Sequence, residues 1–342
     1  MRQNSKNSLR WFFVATLAVV MGASLFFLPE RKTYKRVSGV VWNTVYNITY
    51  CSNVNYADSI IAILNKVDNS ASMFNKKSVV SAVNANDKNV MLDDYFKILF
   101  GRSIDINKET GGVFDPTVAP LMKLWRVSDD DGSLPSEETV DSVMSFIGMD
   151  KIAFDGDKVI KSDSRVQLDF SAIAKGFGCD EIGRMFDRNG VSNYIVEIGG
   201  EVAVKGVNDA GKPWKVSIDM PVVSNDTVIH SSADVLSLTH GGVATSGNYR
   251  NFKVVDGVKV AHIINPVTGY SEFSNLLSAT VIADCCMDAD AYATAFMVMG
   301  LEKTKQFVLS HGNIDVLLIY VDGDGKMQLW KSPNYGLSDD GQ

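Results

Sequence analysis

From Val37 to Trp330 the chain runs through strand-patterned and helix-patterned segments that do not alternate strictly. A doubly wound parallel sheet requires strict alternation, so this order predicts an α+β fold. "GVVWNTVYNITY" (39–50) alternates β-branched and aromatic residues with others, which predicts a strand or a hairpin. "KIAFDGDKVIKSD" and "FKVVDGVKVAHII" read as hairpins turning at Asp155-Gly156 and Asp256-Gly257. "NYIVEIGG" and "EVAVKGV" read as strands around a double glycine, and "IDVLLIYVDGDGKMQLW" as a closing hairpin. Helical spacing marks "YADSIIAILNKVDN", "DDYFKILFGRSIDINKET", "SEETVDSVMSFIG" with Ser136 as N-cap, "IAKGFGCDEIGRMFDRNG" closed by Gly190, and "LEKTKQFVLSHG". The acidic stretch 129–141 reads as a solvated loop that lacks the spacing of a calcium loop.

The N-terminus differs from the rest. "MRQNSKNSLR" carries three basic residues and no acid, and Trp11 to Leu28 then follow without a charge. This is the pattern of an export signal or a single membrane anchor. The run offers no good small-x-small cleavage site and no Cys at its end, so an uncleaved anchor is favoured over a cleaved signal. The chain divides at this level into an anchor or signal segment, 1–32, and one domain, 33–342, expected outside the cytoplasm. Its net charge is −7 and no basic patch stands out, which argues against nucleic acid as a partner. Cys51, Cys179, Cys285 and Cys286 show no zinc spacing and read as buried small hydrophobes.

Five stretches carry polar groups that pure architecture does not require. In "DADAYATA" (288–295), Asp290 and Thr294 lie four apart and share a helix face. The pair could ligate a hard cation, but this stretch alone favours an Asp capping a helix N-terminus and a Thr bonding back to the preceding turn. "TGGVFDPTVAPL" (110–121) has a double glycine and a fixed turn at Asp115-Pro116. In "LDFSAIAKGFG" (168–178) a strand is expected to end at Asp169 and a helix to begin near Ala174. Lys175 and the free N–H groups of that first turn would then form an anion site, or Lys175 would lie on a solvated face. "ATSGNYRNF" (244–252) reads as a polar loop, and "AHIINPVTGY" (261–270) places His262 in a strand before a Pro/Gly turn.

Taken in order, these stretches resemble the ApbE family of flavin transferases, the FAD:protein FMN transferases. The family pattern "GxFDxTVxPLxxLW", "DxSAIAKGY", "SGxYRxF", "HIIDPxTG" and "ADALATA" is matched by 112–125, 169–177, 246–252, 262–269 and 289–295. A looser upstream segment falls at 71–84. The chain departs from the pattern at Phe74 for Tyr, Asn265 for Asp, Tyr292 for Leu, and Trp42-Asn43-Thr44 for Met-Gly-Thr.

The resemblance implies a single ApbE-like, T-fold-like α+β catalytic domain: a mixed, largely antiparallel sheet with helices, here preceded by an N-terminal hydrophobic helix. It implies Mg²⁺ held by the Ala172 carbonyl, Asp290 and Thr294, with the Ala293 carbonyl a weaker candidate, and FAD as substrate. Lys175 would supplement the Mg²⁺ at the phosphoryl oxygens, and Asp115 and Asp169 would orient the flavin or the segments holding it. Trp42, Phe74, Val113 and Phe114 would line the flavin side and Ile264 the adenosine side, with His262 as base. An acceptor protein's Thr or Ser hydroxyl would take FMN and release AMP, on the periplasmic side of a bacterial inner membrane. Subunits of the Na⁺-translocating NADH:quinone reductase or related electron-transport complexes are the implied acceptors. Two other activities suit the same site: hydrolysis of FAD to FMN and AMP, or flavin binding without catalysis.

Overall fold

A computed structural model describes residues 33–131, 134–220, 232–247, 252–255, 258–261, 263–271 and 274–336. The N-terminal apolar segment and His262 therefore lie outside the described residues. Among those described, no helix is long and apolar enough to cross a membrane.

Eight strands form one sheet: β1 (Tyr34–Val41), β2 (Thr44–Cys51), β5 (Tyr194–Ile198), β6 (Glu201–Lys205), β9 (His240–Gly247), β12 (Leu276–Ala283), β13 (Asp315–Val321) and β14 (Met327–Lys331), in that spatial order. Each neighbouring pair is antiparallel. Three hairpins stand apart from it: β3 (Ile152–Asp155) with β4 (Lys158–Lys161), β7 (Trp214–Asp219) with β8 (Ser232–Leu238), and β10 (Phe252–Val255) with β11 (Val258–Ala261).

Period-two patterning sorts each strand between the faces of the sheet. Ala203 joins the cluster built with Cys179 and Ile182, whereas its neighbours Val202 and Val204 join Trp214, Val216 and Leu236 of the β7–β8 hairpin. One face is thus closed by a hairpin and the other by helices. The helices are α1 (Ala57–Ala71), α2 (Val79–Asn84), α3 (Asp94–Glu109), α4 (Ala119–Asp131), α5 (Glu137–Met144), α6 (Ala174–Arg188), α7 (Cys286–Met299) and α8 (Leu301–Ser310). α6 packs on β5 and β6, α7 on β9 and β12, and α6 against α7. α7 buries Ala289, Ala291, Ala293 and Ala295 completely, which is why it reads apolar on every side.

The β1–β2 connection is a two-residue loop, Trp42-Asn43, with φ of 49° and 58°. That is the twist-matched hairpin turn, natural for Asn and unusual for Trp. The Trp42 indole is held by packing over Gly178 of α6.

Four sequence expectations are corrected here. Ala244–Gly247 belong to β9, because they pair with β12, rather than to a loop. No strand leads to Asp169: Gln167 makes only an isolated bridge to Val118. Asp129 to Asp131 are helical, extending α4 into the acidic stretch. Cys51 and Cys285 are only half-buried, though all four cysteines are free.

Candidate active site

The centre of the site is where the N-terminal ends of α6 and α7 meet. Gly176 makes the approach feasible: a Cβ there would lie 2.2 Å from the Cys286 carbonyl oxygen. Gly242 of β9 does the same from the sheet side, 2.2 Å from the Cys286 nitrogen. At this contact the two helices exchange caps. Asp180 of α6 accepts from the backbone N–H groups of Cys286 and Met287 at 2.9 and 2.8 Å. Asp290 of α7 accepts from the Gly176 N–H at 2.9 Å, with the Lys175 N–H also directed to it. Each carboxylate satisfies donors that a helix start leaves open.

The anion at the start of α6 is therefore a protein carboxylate. The Ile173 and Ala174 N–H groups bond to the Phe170 carbonyl. The expectation that this turn offers free N–H groups to a phosphate is corrected: a residue 114 positions away fills it. Lys175 is not on a solvated face either, because its ammonium pairs with Glu201. Burial alone works against that ammonium, but the carboxylates of Asp290 and Glu201 outweigh it and hold the amine above its ordinary range.

Asp290 is 3% exposed. Burial pushes its carboxyl up, against the pull of the Lys175 ammonium. Burial, and then the charge of Asp290, push the Glu201 carboxyl up to about 7 despite Lys175. One Glu201 oxygen, Oε2, is buried without a hydrogen-bond partner. Two buried carboxylates around one ammonium leave negative charge uncompensated, an arrangement that is costly without a further cation.

A cavity of about 450 Å³ opens beside this group. Ala172, Asp290 and Thr294 line it together with Lys175, Glu201, Thr245 and Ser246. Thr294 Oγ1 lies 3.2 Å from Ser246 Oγ and shares its face with Asp290 one turn earlier. Carboxylate, hydroxyl and carbonyl donors without a thiolate or imidazole suit a hard cation such as Mg²⁺. The residues fit such an ion. Among the described residues no group of three or more His, Cys, Asp or Glu is placed to hold a metal ion by itself, so substrate oxygens and water would complete its shell.

Val113, Phe114, Asp115, Asp169 and Ile264 also line the cavity. Asp115 is spent on its own turn: one oxygen accepts from the Thr117 N–H and hydroxyl at 2.7 and 2.6 Å. Burial raises its carboxyl above the ordinary range. Asp169 accepts from the Ser171 N–H at 2.8 Å, and its own N–H donates to the Pro116 carbonyl at 2.7 Å. Each acid thus orders its own turn, and the Asp169 N–H bond to Pro116 joins the 110–121 and 168–178 segments along one wall. Trp125 Nε1 donates to the Gly269 carbonyl at 2.9 Å, which pins the turn beyond Ile264. Asn265 is buried in that turn and accepts from the Val267 N–H at 2.8 Å.

Three expected residues fall outside the lining. Phe74 is 68% exposed. Trp42 is committed to packing on Gly178. Ala293 is not among the residues that line the cavity. Glu201 was not anticipated; its one signal is an acid opening an otherwise apolar strand directly after Gly199-Gly200.

Fold and site define a class: an α+β protein whose oxygen-lined cavity suits a hard cation together with a phosphorylated ligand. The chain belongs to the ApbE family, whose model matches residues 42–318. It is 32% identical over 326 residues to the FAD:protein FMN transferase of Haemophilus influenzae, covering 90% of this chain and 93% of that one. It is 33% identical over 299 residues to that of Vibrio cholerae, covering 84% and 88%. The solved structure of the flavin transferase ApbE from Vibrio cholerae superposes with a TM-score of 0.78 at 29% identity, covering 89% of this chain and 98% of that one.

Proposed function

We infer that this protein is an FAD:protein FMN transferase that moves FMN from FAD to a hydroxyl of an acceptor protein and releases AMP. The observation that carries this reading is the convergence of Ala172, Lys175, Asp290 and Thr294, from two separate motifs, on one cavity.

Binding falls to the cavity walls. Val113 and Phe114 offer apolar surface to the flavin side and Ile264 to the adenosine side, with Asp115 and Asp169 keeping the wall segments in place. Asp290, Thr294 and the Ala172 carbonyl would hold Mg²⁺. A bound Mg²⁺ supplies Lewis-acid neutralisation of the diphosphate oxygens and a template for in-line displacement. Lys175, aimed by Glu201, adds a fixed positive charge beside the same oxygens.

In the reaction, the acceptor oxygen forms a bond to the phosphorus on the riboflavin side. The bond from that phosphorus to the bridging oxygen breaks, and AMP leaves with the bridging oxygen. The hydroxyl proton goes to a base, for which His262 is assigned: its chain neighbours Ile263 and Ile264 line the cavity. Thr or Ser is the assigned acceptor residue, subunits of the Na⁺-translocating NADH:quinone reductase or related electron-transport complexes are the assigned acceptors, and the apolar N-terminal segment supports a location on the periplasmic side of the inner membrane.

Incubation of the protein with FAD, Mg²⁺ and a Thr-containing acceptor tests the reading. Fluorescent acceptor with AMP release supports transfer. AMP without labelled acceptor means water is the nucleophile and the protein hydrolyses FAD, and FAD retained without either product means it only binds flavin.

A further inference from the structure

α7 carries two polar pairs of i,i+4 spacing. Asp290 and Thr294 face the cavity. Asp288 and Tyr292 lie about 200° around the helix from them, at 3.6 residues per turn. This second pair is tied to α3. Arg102 Nε and Nη2 donate to the two oxygens of Asp288 at 2.8 and 3.0 Å, a bidentate fork. Arg102 Nη1 donates to Glu109 at 3.1 Å, and Nη2 reaches the Tyr292 hydroxyl at 3.4 Å. That hydroxyl in turn donates to Glu109.

The rest of α7 gives this network its consequence. Its buried residues include Tyr292, Phe296, Met297 and Val298 beside Ala289, Ala291, Ala293 and Ala295, and bonds to Asp180 and Gly176 tie its first turns to α6. These contacts hold α7 on the α6 side, and the α3 network adds a directional restraint on another side of the same helix. We propose that Arg102 and Glu109 of α3, with Asp288 and Tyr292 of α7, form a positioning brace. With the cap bonds to α6 it fixes the rotation of α7, and thereby tunes the affinity of the Asp290–Thr294 pair for a divalent cation. The role rests on the cation reading of that pair given above. It also accounts for Tyr292, where the family pattern has Leu: the ring stacks on Phe296 as an apolar residue would, and the hydroxyl closes the brace.

The test is Mn²⁺ binding to the full-length protein saturated with FAD, with free Mn²⁺ read by electron paramagnetic resonance. Tyr292→Phe keeps the ring and removes the hydroxyl, and Arg102→Gln is a second variant in case the first folds poorly. Each is expected to weaken the Mn²⁺ Kd by about tenfold, the lower end for outer partners of metal ligands. Saturating Mg²⁺ should restore kcat in both, a pattern that a purely structural contact would not give. A native Kd in the two variants, with binding lost in an Asp290→Ala control, overturns the brace alone. Native binding in the Asp290→Ala control overturns the cation reading, and the brace with it.

Discussion

The Asp290 carboxylate on α7 accepts the Gly176 N–H on α6 at 2.9 Å. This bond makes Asp290 both a trans cap for α6 and the charged wall of the cavity. The alternative left open by the sequence, an Asp at the N-terminus of its own helix, is not what the structure shows. α7 starts at Cys286, and its first N–H groups bond to Asp180. The two helices are therefore locked in register at the point where cation and diphosphate would bind.

Glu201 and Lys175 are expected to act as a unit. Glu201→Gln removes the charge that aims the ammonium, and Lys175→Ala removes the ammonium. Each should slow FMN transfer, and the double variant should lose less than the product of the single losses, because the two share one ion pair. Initial rates on the four proteins give the answer; multiplicative losses would separate the residues.

His262→Ala should slow transfer by about 10²- to 10⁴-fold, the usual contribution of a positioned base. It should also flatten the acid side of the rate–pH profile, where a general base loses the form that accepts a proton. An unaltered acid limb in the variant clears His262 of this role.

Asp180 supplies a stability prediction. Burial pushes its carboxyl up to about 6, even though it accepts two backbone N–H groups. The folded chain then holds a proton that the unfolded chain releases above about pH 4. Its contribution to stability is fully present below pH ~4 and is lost as pH rises to ~6, about 3 kcal/mol at most, with no further change above. Denaturant unfolding of the wild type and Asp180→Asn between pH 4 and 7 tests this: the variant should lack that part of the slope.

The sequence made the Asp290–Thr294 pair legible because helical spacing is local and both groups share one motif. It made most hairpins legible because Asp-Gly and Gly-Gly turns are local as well. Long-range contacts escaped it. The N–H groups at the start of α6 looked free, yet their partner sits on a helix 114 residues later. Trp42 looked like a flavin wall, but the positive-φ turn at 42–43 directs it onto Gly178. Glu201 gave no motif signal, since its meaning comes from Lys175 across the α6–β6 contact. The β7–β8 hairpin that closes the far face was not read at all, and nothing local announces which face of a sheet a hairpin will cover.

The most direct test of the account is the FMN transfer rate of Asp290→Asn in Mg²⁺, measured beside its thermal melt. The Asn side-chain oxygen can still accept the Gly176 N–H, while the charge and the second oxygen offered to the cation are removed. The account predicts a native-like melt with transfer lost by more than the roughly 10²- to 10³-fold that removal of one oxyanion donor costs. Transfer at the wild-type rate in that variant would contradict it.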